Sequence, residues 1–389
     1  MSLLDPQDWS FPVPIAYGPG RLKEIGTLCR RAGMSKPLIV TDRSSSELPF
    51  MGETAALLAS AGLGNAVFAD ISPNPRDDEI QAGRQAYRDG GHDGIIGIGG
   101  GSGMDGAKAI CLTATNDIDL WDFEYESPAP DMSAQPAFPP LICIPTTAGT
   151  GAETASTAMI TDTQRMMKFC IWHEDLLPAC ALLDPALTVS LPRNLTAWTG
   201  IDALVHAIEA YCVPGFNPLC DGLALESIRL INKWLPVAWR EPDSLEARGG
   251  MLAGSCLAGI AFMKGLGHVH AISHMIGAEY DTQHGLTNAI ILPAVLEFNE
   301  PAIRDKIAPM TQAMDLPDPT FECLYQFICA TLDELSIPKT LRDIGVEADC
   351  AHRSAKKAVQ DSAAVTNPRP ASISEMQEII EVALASGRD

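Results

Sequence analysis

The chain has 389 residues, which is long enough for two or three domains. Because 46% of the residues are hydrophobic and 20% are charged, the composition is that of a globular protein, and general disorder is excluded. Its 49 acidic and 27 basic residues give a formal net charge of −22. Because this excess of negative charge repels phosphate backbones and anionic lipid headgroups, neither nucleic acid nor a membrane surface is expected as a partner.

Short β-branched runs alternate with amphipathic stretches over the first half of the chain. Strands are predicted at residues 38–41, 66–68, 94–98 and 141–144. Helices are predicted after Gly20, over residues 77–87, and from the glycine run near residue 99 to about residue 112. The proline-rich stretch at 128–140 is predicted to be a surface loop. Strands that alternate with helices in this way predict βαβ units and a doubly wound, mostly parallel sheet.

The strand signals largely stop after Asp184-Pro185, and helix signals follow one another to the end. Asn217 before Pro218 is typical of a helix start, because asparagine caps the first turn and proline is tolerated inside it. Ser372 and Glu375 have the spacing of a capping box. The sequence therefore predicts an α/β dinucleotide-binding domain at residues 1–187 and an all-helical domain at residues 188–389.

A glycine run, Gly97-Ile-Gly99-Gly100-Gly101-Ser102, follows a predicted strand and opens a helix. Bare backbone N–H groups and the positive end of a helix can hold a phosphate there, although such a run also serves as a tight connection. The run departs from the usual dinucleotide fingerprint, because its sixth residue is serine and no acid lies about 20 residues further on.

An acid stands upstream instead, since Asp42 ends the strand at residues 38–41. A carboxylate at that end of the sheet would accept the ribose hydroxyls of NAD and repel the 2′-phosphate of NADP, and the open alternative is an aspartate that caps a turn. The second loop, Pro145-Thr-Thr-Ala-Gly-Thr-Gly-Ala-Glu153, also follows a strand and offers three hydroxyls. Two such loops on one sheet favour a single ligand that reaches across both.

Histidines cluster in the second half, where four of the chain's eight fall within 17 residues, namely His268, His270, His274 and His284. On the preceding predicted helix, Asp202 and His206 are four residues apart and share one face. A carboxylate with several imidazoles suits a divalent metal such as Fe²⁺ or Zn²⁺. These six candidate ligands are more than a catalytic site uses. Buried structural histidines are the alternative. Glu209 is expected to be an outer partner or a surface charge.

The chain has 11 cysteines, an odd number, and no two of them form a Cys-x-x-Cys pair. This pattern indicates small apolar side chains in a reducing compartment rather than a disulfide or zinc framework. The first residues lack the basic start and apolar segment of a signal peptide, and the longest uncharged run, residues 132–152, is broken by prolines. The sequence therefore predicts a cytoplasmic protein without a membrane span.

Several segments together resemble the signatures of the iron-dependent (group III) alcohol dehydrogenases. The two loops supply Gly99-Gly-Gly-Ser-Gly-Met-Asp105-Gly-Ala-Lys108 and Pro145 to Glu153. The second half supplies Gly200-Ile-Asp202-Ala-Leu-Val-His206-Ala-Ile-Glu-Ala-Tyr211, His270-Ala-Ile-Ser-His274, His284-Gly-Leu-Thr-Asn288-Ala-Ile-Ile-Leu-Pro293 and Thr366-Asn-Pro-Arg-Pro370. The resemblance runs from the first strand to the last helix and is specific because the motifs occur jointly.

The resemblance implies the fold of that family and of dehydroquinate synthase, with a dinucleotide-binding α/β domain, a helical metal domain and the active site in the cleft between them. It implies that the metal ligands are Asp202, His206, His270 and His284. His274 matches a catalytic histidine that is not a ligand and lies close to the nicotinamide. The residues that match NAD contacts are Asp42, Asn74, Gly99, Gly100, Gly101, Ser102, Thr146, Thr147, Thr150, Lys168 and Leu187.

The implied reaction is reversible hydride transfer between a small alcohol and NAD, with the substrate oxygen on a divalent metal, Fe²⁺ in preference to Zn²⁺. A homodimer or larger homo-oligomer is also implied. Three departures from the family pattern stand out: Ala152 replaces a serine, His268 is an additional histidine, and the segment from Asp361 to Ala364 is smaller than in many relatives, which would widen the substrate channel.

Four alternatives stay open at this stage. A zinc polyol enzyme resembling glycerol dehydrogenase, a metal-independent reductase resembling maleylacetate reductase, and a lyase resembling dehydroquinate synthase share the wider superfamily. A complete set of one aspartate and three histidines argues against the metal-free reductase. A catalytically inert NAD-binding or metal-binding protein is the alternative from another class, and no motif supports it.

Overall fold

The computed structural model describes residues 13–165 and 167–385, and the secondary structure changes character along this chain. Strands and helices alternate as far as residue 183, and from residue 193 onward the regular elements of the described chain are helical. Two compact units result. The first unit consists of residues 13–147 together with Gly151–Ser190, and the second consists of Ala148–Thr150 together with the chain from Leu191 onward.

The first unit is built from strands and four α-helices. Its described strands are β1 (Ile15–Tyr17), β2 (Pro37–Asp42), β3 (Ala66–Ile71), β4 (Gly94–Gly99), β5 (Leu141–Pro145), β6 (Thr157–Asp162), β7 (Met167–Trp172) and β8 (Cys180–Leu183). Its described α-helices are α1 (Ile25–Arg31), α2 (Pro49–Ser60), α3 (Asp77–Gly90) and α4 (Gly101–Ala114). The predicted strands and helices of this half are all present, with ends shifted by a few residues.

Six of these strands form a parallel sheet in the order β1-β8-β5-β4-β2-β3. The chain runs outward from β2 to β3, returns to place β4 on the other side of β2, and then continues away from it. The order therefore reverses between β2 and β4, which is where open α/β sheets bind their ligands. The remaining strands, β6 and β7, pair with each other as an antiparallel hairpin that the sequence did not predict.

Successive residues of the central strand β4 point into two different hydrophobic cores. Ile95 packs in a core with Ile110 of α4, whereas Ile96 packs in another core with Ile25 of α1 and Leu58 of α2. Because side chains alternate along a strand, this division puts helices on both faces of the sheet. The predicted doubly wound, mostly parallel sheet is thus confirmed.

The second unit is helical, as predicted. Its described α-helices are α5 (Arg193–Cys212), α6 (Pro218–Arg240), α7 (Leu245–Ala261), α8 (His268–Tyr280), α9 (His284–Asn299), α10 (Arg304–Ala313), α11 (Phe321–Glu334), α12 (Ala351–Ala358), α13 (Ser362–Val365) and α14 (Ile373–Ala385). The cap predicted at Asn217 is present, since its side chain accepts a hydrogen bond from the Cys220 N–H at 3.2 Å. The Ser372–Glu375 capping box is also formed.

Helix α5 is the central element of the second unit. Sixteen of its 20 residues are buried, which is typical of a helix surrounded by other helices rather than one packed along a single stripe. It contacts α6, α7 and α9. Any polar side chain that α5 carries in its middle is therefore held in a dry environment and needs a partner there.

Most of the cysteines are buried as small apolar side chains. Cys143 and Cys212 are examples, and burial raises the pKa of each of these thiols to about 12. Within residues 13–165 and 167–385, no single helix is both long and apolar enough to cross a membrane. The segments Leu245–Lys264 and His268–Tyr280 meet that criterion only when joined, and they are bent by 103°.

Candidate functional site

Three adjacent strands of the sheet end in the loops that the sequence singled out. Strand β2 ends at Asp42, β4 ends at Gly99, and β5 ends at Pro145. The two loops are tied together, because the Thr146 N–H donates to the Gly99 carbonyl at 2.9 Å. Helix α4 begins at Gly101, within the glycine run. The structure therefore brings Asp42, the glycine run and the start of the second loop to the carboxyl edge of the sheet.

Gly99 lies against the carboxylate of Asp42. Its φ of +146° is a conformation that favours glycine, and a Cβ at this position would lie 2.9 Å from Asp42 Oδ2. Any larger residue would push the glycine run away from Asp42. The start of α4 consequently offers a backbone cradle with a carboxylate beside it, which suits a diphosphate joined to a ribose.

The carboxylate of Asp42 also caps a turn. Oδ1 accepts the Ser45 N–H at 3.0 Å and Oδ2 accepts the Ser45 hydroxyl at 2.7 Å, while the Ser44 hydroxyl donates to Oδ1. A carboxylate has about four acceptor sites, so these contacts leave capacity for further donors. The two roles weighed from the sequence, turn cap and ribose acceptor, are compatible in this geometry.

The loop that carries Asn74 joins the same edge. The Ser102 hydroxyl donates to the Pro73 carbonyl at 2.5 Å, and the Ser72 hydroxyl donates to the Asn74 carbonyl at 2.8 Å. On the other side of the glycine run, a Cβ on Gly100 would lie 3.7 Å from the Thr147 side chain. Asn74, Ser102 and Thr147 are therefore neighbours of the glycine run.

The remaining predicted NAD contacts are less closely tied to that run. Lys168 stands opposite Thr161 in the β6–β7 hairpin, and the Thr161 N–H donates to the Pro75 carbonyl at 2.7 Å, so the hairpin reaches the Asn74 loop. The side chain of Leu187 is buried in the apolar core that includes Ile98 and Ile144. Thr150 belongs to the second unit.

Lys108 is a buried residue to which sequence reasoning gave no role. Its side chain is fully buried, and its Nζ donates to the Ala152 carbonyl and to the Thr157 carbonyl, the latter at 2.9 Å. Helix α4, which the glycine run opens, is thereby fastened to the end of the second loop. The side chain of Ala152 is buried in the apolar core. A lysine among the small and apolar residues 106–112 was the signal in the sequence.

Glu153, next to this contact, predicts a pH dependence of stability. Burial raises the pKa of its carboxyl group to about 7, although Lys108 opposes the rise. Because the folded-state pKa lies above the unfolded value, this group costs stability as pH rises from about 4.5 to about 7, by about 3 kcal/mol in total. Glu153→Gln should remove that cost, so the variant should gain about 3 kcal/mol over the wild type at pH 8 and little at pH 4.5.

Urea unfolding of both proteins across this pH range measures the difference. Glu47→Gln is the matched control, because Glu47 is exposed in the same unit. Its effect should be small and independent of pH. An equal gain for Glu153→Gln at both pH values would contradict the buried, largely protonated carboxyl.

Four side chains of the second unit converge on one point. Asp202 and His206 lie one turn apart on α5, His270 lies in the first turn of α8, and His284 is the first residue of α9. One ligand atom from each side chain lies within 4.8 Å of the ligand atoms of the other three. Asp202, His206 and His270 are buried, and His284 is partly buried.

The donor set fits a divalent metal. Asp202 Oδ1 lies 3.8 Å from His270 Nε2 and 3.7 Å from His284 Nε2. Metal bonds of about 2.0–2.2 Å in a tetrahedral arrangement place neighbouring ligand atoms about 3.3–3.6 Å apart, so these separations need only a small adjustment. Burial lowers the pKa of His206 and of His270 to about 4, which keeps both rings neutral with a lone pair to donate. Oxygen and imidazole donors suit iron or zinc.

Asn288, a residue of the His284 motif, lies among these ligand atoms. Its Nδ2 donates to Asp202 Oδ1 at 2.7 Å and contacts His270 Nε2 at 3.2 Å and His284 Nε2 at 3.1 Å. The amide NH₂ group has two hydrogens and donates one to Asp202, so one remains for the two imidazole Nε2 atoms. Both Nε2 atoms therefore lie at the same point as the Asp202 carboxylate, which is where a metal would bind.

His274 lies beside the four residues and has a separate partner. Its ring stacks on His284 with centroids 5.6 Å apart, and its Nδ1 donates to Asp361 Oδ2 at 2.9 Å. Asp361 is held in turn, because its Oδ1 accepts the Ala363 N–H at the start of α13. The sequence had marked Asp361 only as part of a small segment. The structure shows an imidazole oriented by a carboxylate, with Nε2 as its other nitrogen.

His268, the additional histidine, faces a different group. Its Nε2 bonds to the Arg369 carbonyl at 3.0 Å, and its ring packs against Phe298. It is outside the group of four side chains that could hold a metal. The sequence left open which of the six candidates converge, and the geometry brings together Asp202, His206, His270 and His284.

Comparison with known proteins places both halves of the chain in one family. Residues 12–185 match the family model described as iron-containing alcohol dehydrogenase. Residues 196–384 match the C-terminal model of the Fe-containing alcohol dehydrogenase family. The two matches together cover most of the chain.

Individual proteins resemble the chain over nearly its whole length. The NAD-dependent methanol dehydrogenase of Bacillus methanolicus is 35% identical over 380 residues, covering 96% of this chain and 98% of that protein. A crystal structure of 1,3-propanediol oxidoreductase superposes with a TM-score of 0.92 at 34% identity, covering 97% of this chain and all of the other. Sulfoacetaldehyde reductase from Bifidobacterium kashiwanohense, solved in complex with NAD⁺, gives a TM-score of 0.86 at 27% identity, covering 97% and 99%. The chain belongs to the iron-containing alcohol dehydrogenase family.

Proposed function

We propose that the chain is a metal-dependent alcohol dehydrogenase that transfers hydride reversibly between a small alcohol and NAD. The observation that carries the proposal is the convergence of Asp202, His206, His270 and His284, whose ligand atoms lie within 4.8 Å of one another. The names of similar proteins, a methanol dehydrogenase and a 1,3-propanediol oxidoreductase, support a short alcohol or the corresponding aldehyde as substrate.

NAD is proposed to bind at the carboxyl edge of the sheet. The N–H groups at the start of α4 would hold the diphosphate, and the Asp42 carboxylate would accept the adenosine ribose hydroxyls. The other proposed contacts are Asn74, Gly99, Gly100, Gly101, Ser102, Thr146, Thr147, Thr150, Lys168 and Leu187. In this division of roles, residues 1–187 bind NAD and residues 188–389 bind the metal.

The proposed metal ligands are Asp202, His206, His270 and His284, and Fe²⁺ is the proposed metal, with Zn²⁺ as the second choice. When bound, such an ion supplies a Lewis acid that lowers the pKa of an alcohol or polarises a carbonyl. The protein contributes one negative charge through Asp202 and neutral imidazoles from the histidines. Burial of Asp202 and His270 keeps water from competing at this point.

His274 is proposed to move the proton that accompanies hydride transfer. Its Nδ1–H is committed to Asp361 at 2.9 Å, so Nε2 is the atom that accepts a proton from the alcohol or the cofactor ribose and releases it. Asp361 keeps the ring in this tautomer. An imidazole suits the task because its second nitrogen can accept a proton and release it.

Removing the metal should abolish turnover, and this experiment tests the proposal. Protein purified anaerobically, stripped by a chelator and reloaded with Fe²⁺ or Zn²⁺ is offered small aldehydes, hydroxyaldehydes and ketones while NADH absorbance is followed. The stripped protein should be about 10³-fold slower than the reloaded protein, since the Lewis acid contributes several kcal/mol. The faster of the two reloaded forms indicates the preferred metal.

Full activity after chelation would contradict the metal's role. Substrate turnover without net NADH change would indicate the lyase alternative, whereas NADH consumption excludes both the lyase and the inert binding protein. We also propose a cytoplasmic location and a homodimer or larger assembly. The acidic charge and the buried thiols support the first, and resemblance to the family supports the second.

A further inference from the structure

Glu209 is a buried carboxylate whose two oxygens serve two different donors. It lies on α5, three residues after His206, and its exposed fraction is 5%. Oε2 lies 2.6 Å from His270 Nδ1, and Oε1 accepts the Val269 N–H at 2.8 Å. The sequence left Glu209 open between an outer partner and a surface charge, and the proposed function gives it no role. An unpaired carboxylate is costly to bury, so the partners of Glu209 must compensate its burial. One of these partners is a proposed metal ligand.

The start of α8 is built to accept this carboxylate. A Cβ on Gly267 would lie 2.7 Å from Glu209 Oε1 and 2.6 Å from Asn367 Oδ1, so only glycine allows the close approach. Asn367 Oδ1 accepts the His268 N–H at 3.1 Å on the same helix end. A negative group near the first N–H groups is favoured by the helix dipole. Glu209 and Asn367 therefore cap α8 together, but only Glu209 touches the imidazole of His270.

The hydrogen of the His270 ring is fixed by Glu209. Its Oε2 lies 2.6 Å from Nδ1 and accepts as a carboxylate oxygen, so Nδ1 carries the hydrogen. A neutral imidazole with its hydrogen on Nδ1 has its lone pair on Nε2. The short contact is therefore an N–H donated to Glu209, and the Nε2 lone pair is left for a metal.

The corresponding contact of His284 is weaker. Its Nδ1 lies 3.2 Å from the Ser273 hydroxyl, a neutral partner at a longer distance. Hydrogen bonds to an ionised acceptor are about twice as strong as neutral ones. Of the two imidazoles whose Nε2 atoms face Asp202, His270 thus has the stronger outer partner.

We propose that Glu209 is a positioning residue that fixes the tautomer and direction of His270 and so sets the affinity of the site for its divalent metal. The proposal rests on the ligand set given under the proposed function. A carboxylate behind a ligating imidazole fixes the ring and raises its basicity, and loss of such a partner costs about 10–100-fold in metal affinity.

Glu209→Gln tests the proposal with little change of shape. The amide has one oxygen for two donors, so either the Val269 N–H or the His270 Nδ1–H must face an NH₂ group, or the ring must move its hydrogen to Nε2 and lose its lone pair there. The dissociation constants of Zn²⁺ and Co²⁺ are measured by competition with a chelator, using the full-length metal-stripped protein. The variant should bind both ions about 10–100-fold more weakly.

Three further variants separate positioning from folding. Ser273→Ala removes the neutral partner of His284 and should weaken metal binding less than Glu209→Gln. Glu79→Gln makes the same chemical change at a buried carboxylate of the first unit, which accepts the Ser72 N–H at 3.0 Å, and should leave metal affinity unchanged. Asn367→Ala loosens the same end of α8 without touching the His270 ring, so it should lower unfolding stability more than metal affinity.

The visible spectrum of the Co²⁺-loaded proteins gives a second readout. At saturating Co²⁺, the bands of Glu209→Gln should differ from those of the wild type, because the ligand field at His270 changes, whereas those of Asn367→Ala should match. Wild-type affinity and spectrum in Glu209→Gln would overturn the proposal, as would an equal loss of affinity in Asn367→Ala. A wild-type protein that binds neither ion would instead contradict the proposed ligand set.

Discussion

Replacing Asp202 with alanine should remove the bound metal and lower kcat/KM by about 10³-fold or more, because several kcal/mol of Lewis-acid stabilisation disappear with the ion. Asp202 is the anionic member of a set whose other three members are imidazoles. Without it, a divalent ion would be held by neutral groups alone in a buried site, where an uncompensated charge is costly. The substitution also leaves the Asn288 amide, now 2.7 Å from Asp202 Oδ1, without that acceptor.

Metal content after dialysis and NADH-linked turnover measure the two effects, and circular dichroism shows whether the fold is kept. Asp202→Asn, which preserves the volume of the side chain, should behave like the alanine variant because it also lacks the charge. A variant that retains both metal and turnover would contradict the ligand role.

His274→Gln is the matched control within the same group of rings. His274 is outside the set of four converging side chains, so this variant should keep its metal. Loss of a general acid–base group alone should lower kcat by about 10²–10⁴-fold. Metal loss in His274→Gln would mean that His274 supports the site rather than moving a proton.

The sheet was predictable because its signals are local. The run at residues 94–98 is apolar without alternation, which is typical of a strand buried on both faces, and the structure divides Ile95 and Ile96 between two cores. The hairpin β6–β7 was not predicted. Its first strand is buried on one face only and its second strand is mostly half-buried, so neither has the double-sided burial that makes a central strand a continuous apolar run.

The sequence predicted that one aspartate and several histidines form the metal site. It did not determine which of the histidines belong to it. Spacing put Asp202 and His206 on one helix face, yet it gave His268, His270, His274 and His284 equal standing. Resemblance to the family selected two of them, His270 and His284, and the geometry brings the same two together with Asp202 and His206. Helix direction explains the difference, because His268 turns away from this cluster and bonds to the Arg369 carbonyl instead.

The sequence left Glu209 open between an outer partner and a surface charge and gave Asp361 and Lys108 no such role, because each depends on contacts between distant segments. Glu209 is 61 residues from His270, Asp361 is 87 residues from His274, and Lys108 is 44 residues from Ala152. Local periodicity places such residues on a helix or in a turn but gives no information about what packs against them. Only the fold decides whether a charge is exposed or buried against a partner.

Replacing Asp42 should change the choice of cofactor. The carboxylate lies against the glycine run, where a Cβ on Gly99 would meet Asp42 Oδ2 at 2.9 Å. An NADP 2′-phosphate at this point would face a negative charge, whereas the ribose hydroxyls of NAD would donate to it. Asp42→Asn should raise the ratio of kcat/KM for NADP to that for NAD by about 10²-fold, or about 2.7 kcal/mol, by removing the repulsion and one charged hydrogen bond.

Asp42→Ala separates the two contacts that this carboxylate makes. Asparagine keeps an acceptor for the Ser45 N–H, 3.0 Å away, and so preserves the turn, whereas alanine removes both the turn cap and the charge. Both variants should gain activity with NADP, but the alanine variant should also lose stability, by about 1 kcal/mol for the lost hydrogen bond. Metal content should be unchanged in both, because Asp42 lies in the first unit. An unaltered preference for NAD in the asparagine variant would mean that Asp42 acts only as a turn cap, and the cofactor's ribose would then have to be recognised elsewhere along this edge of the sheet.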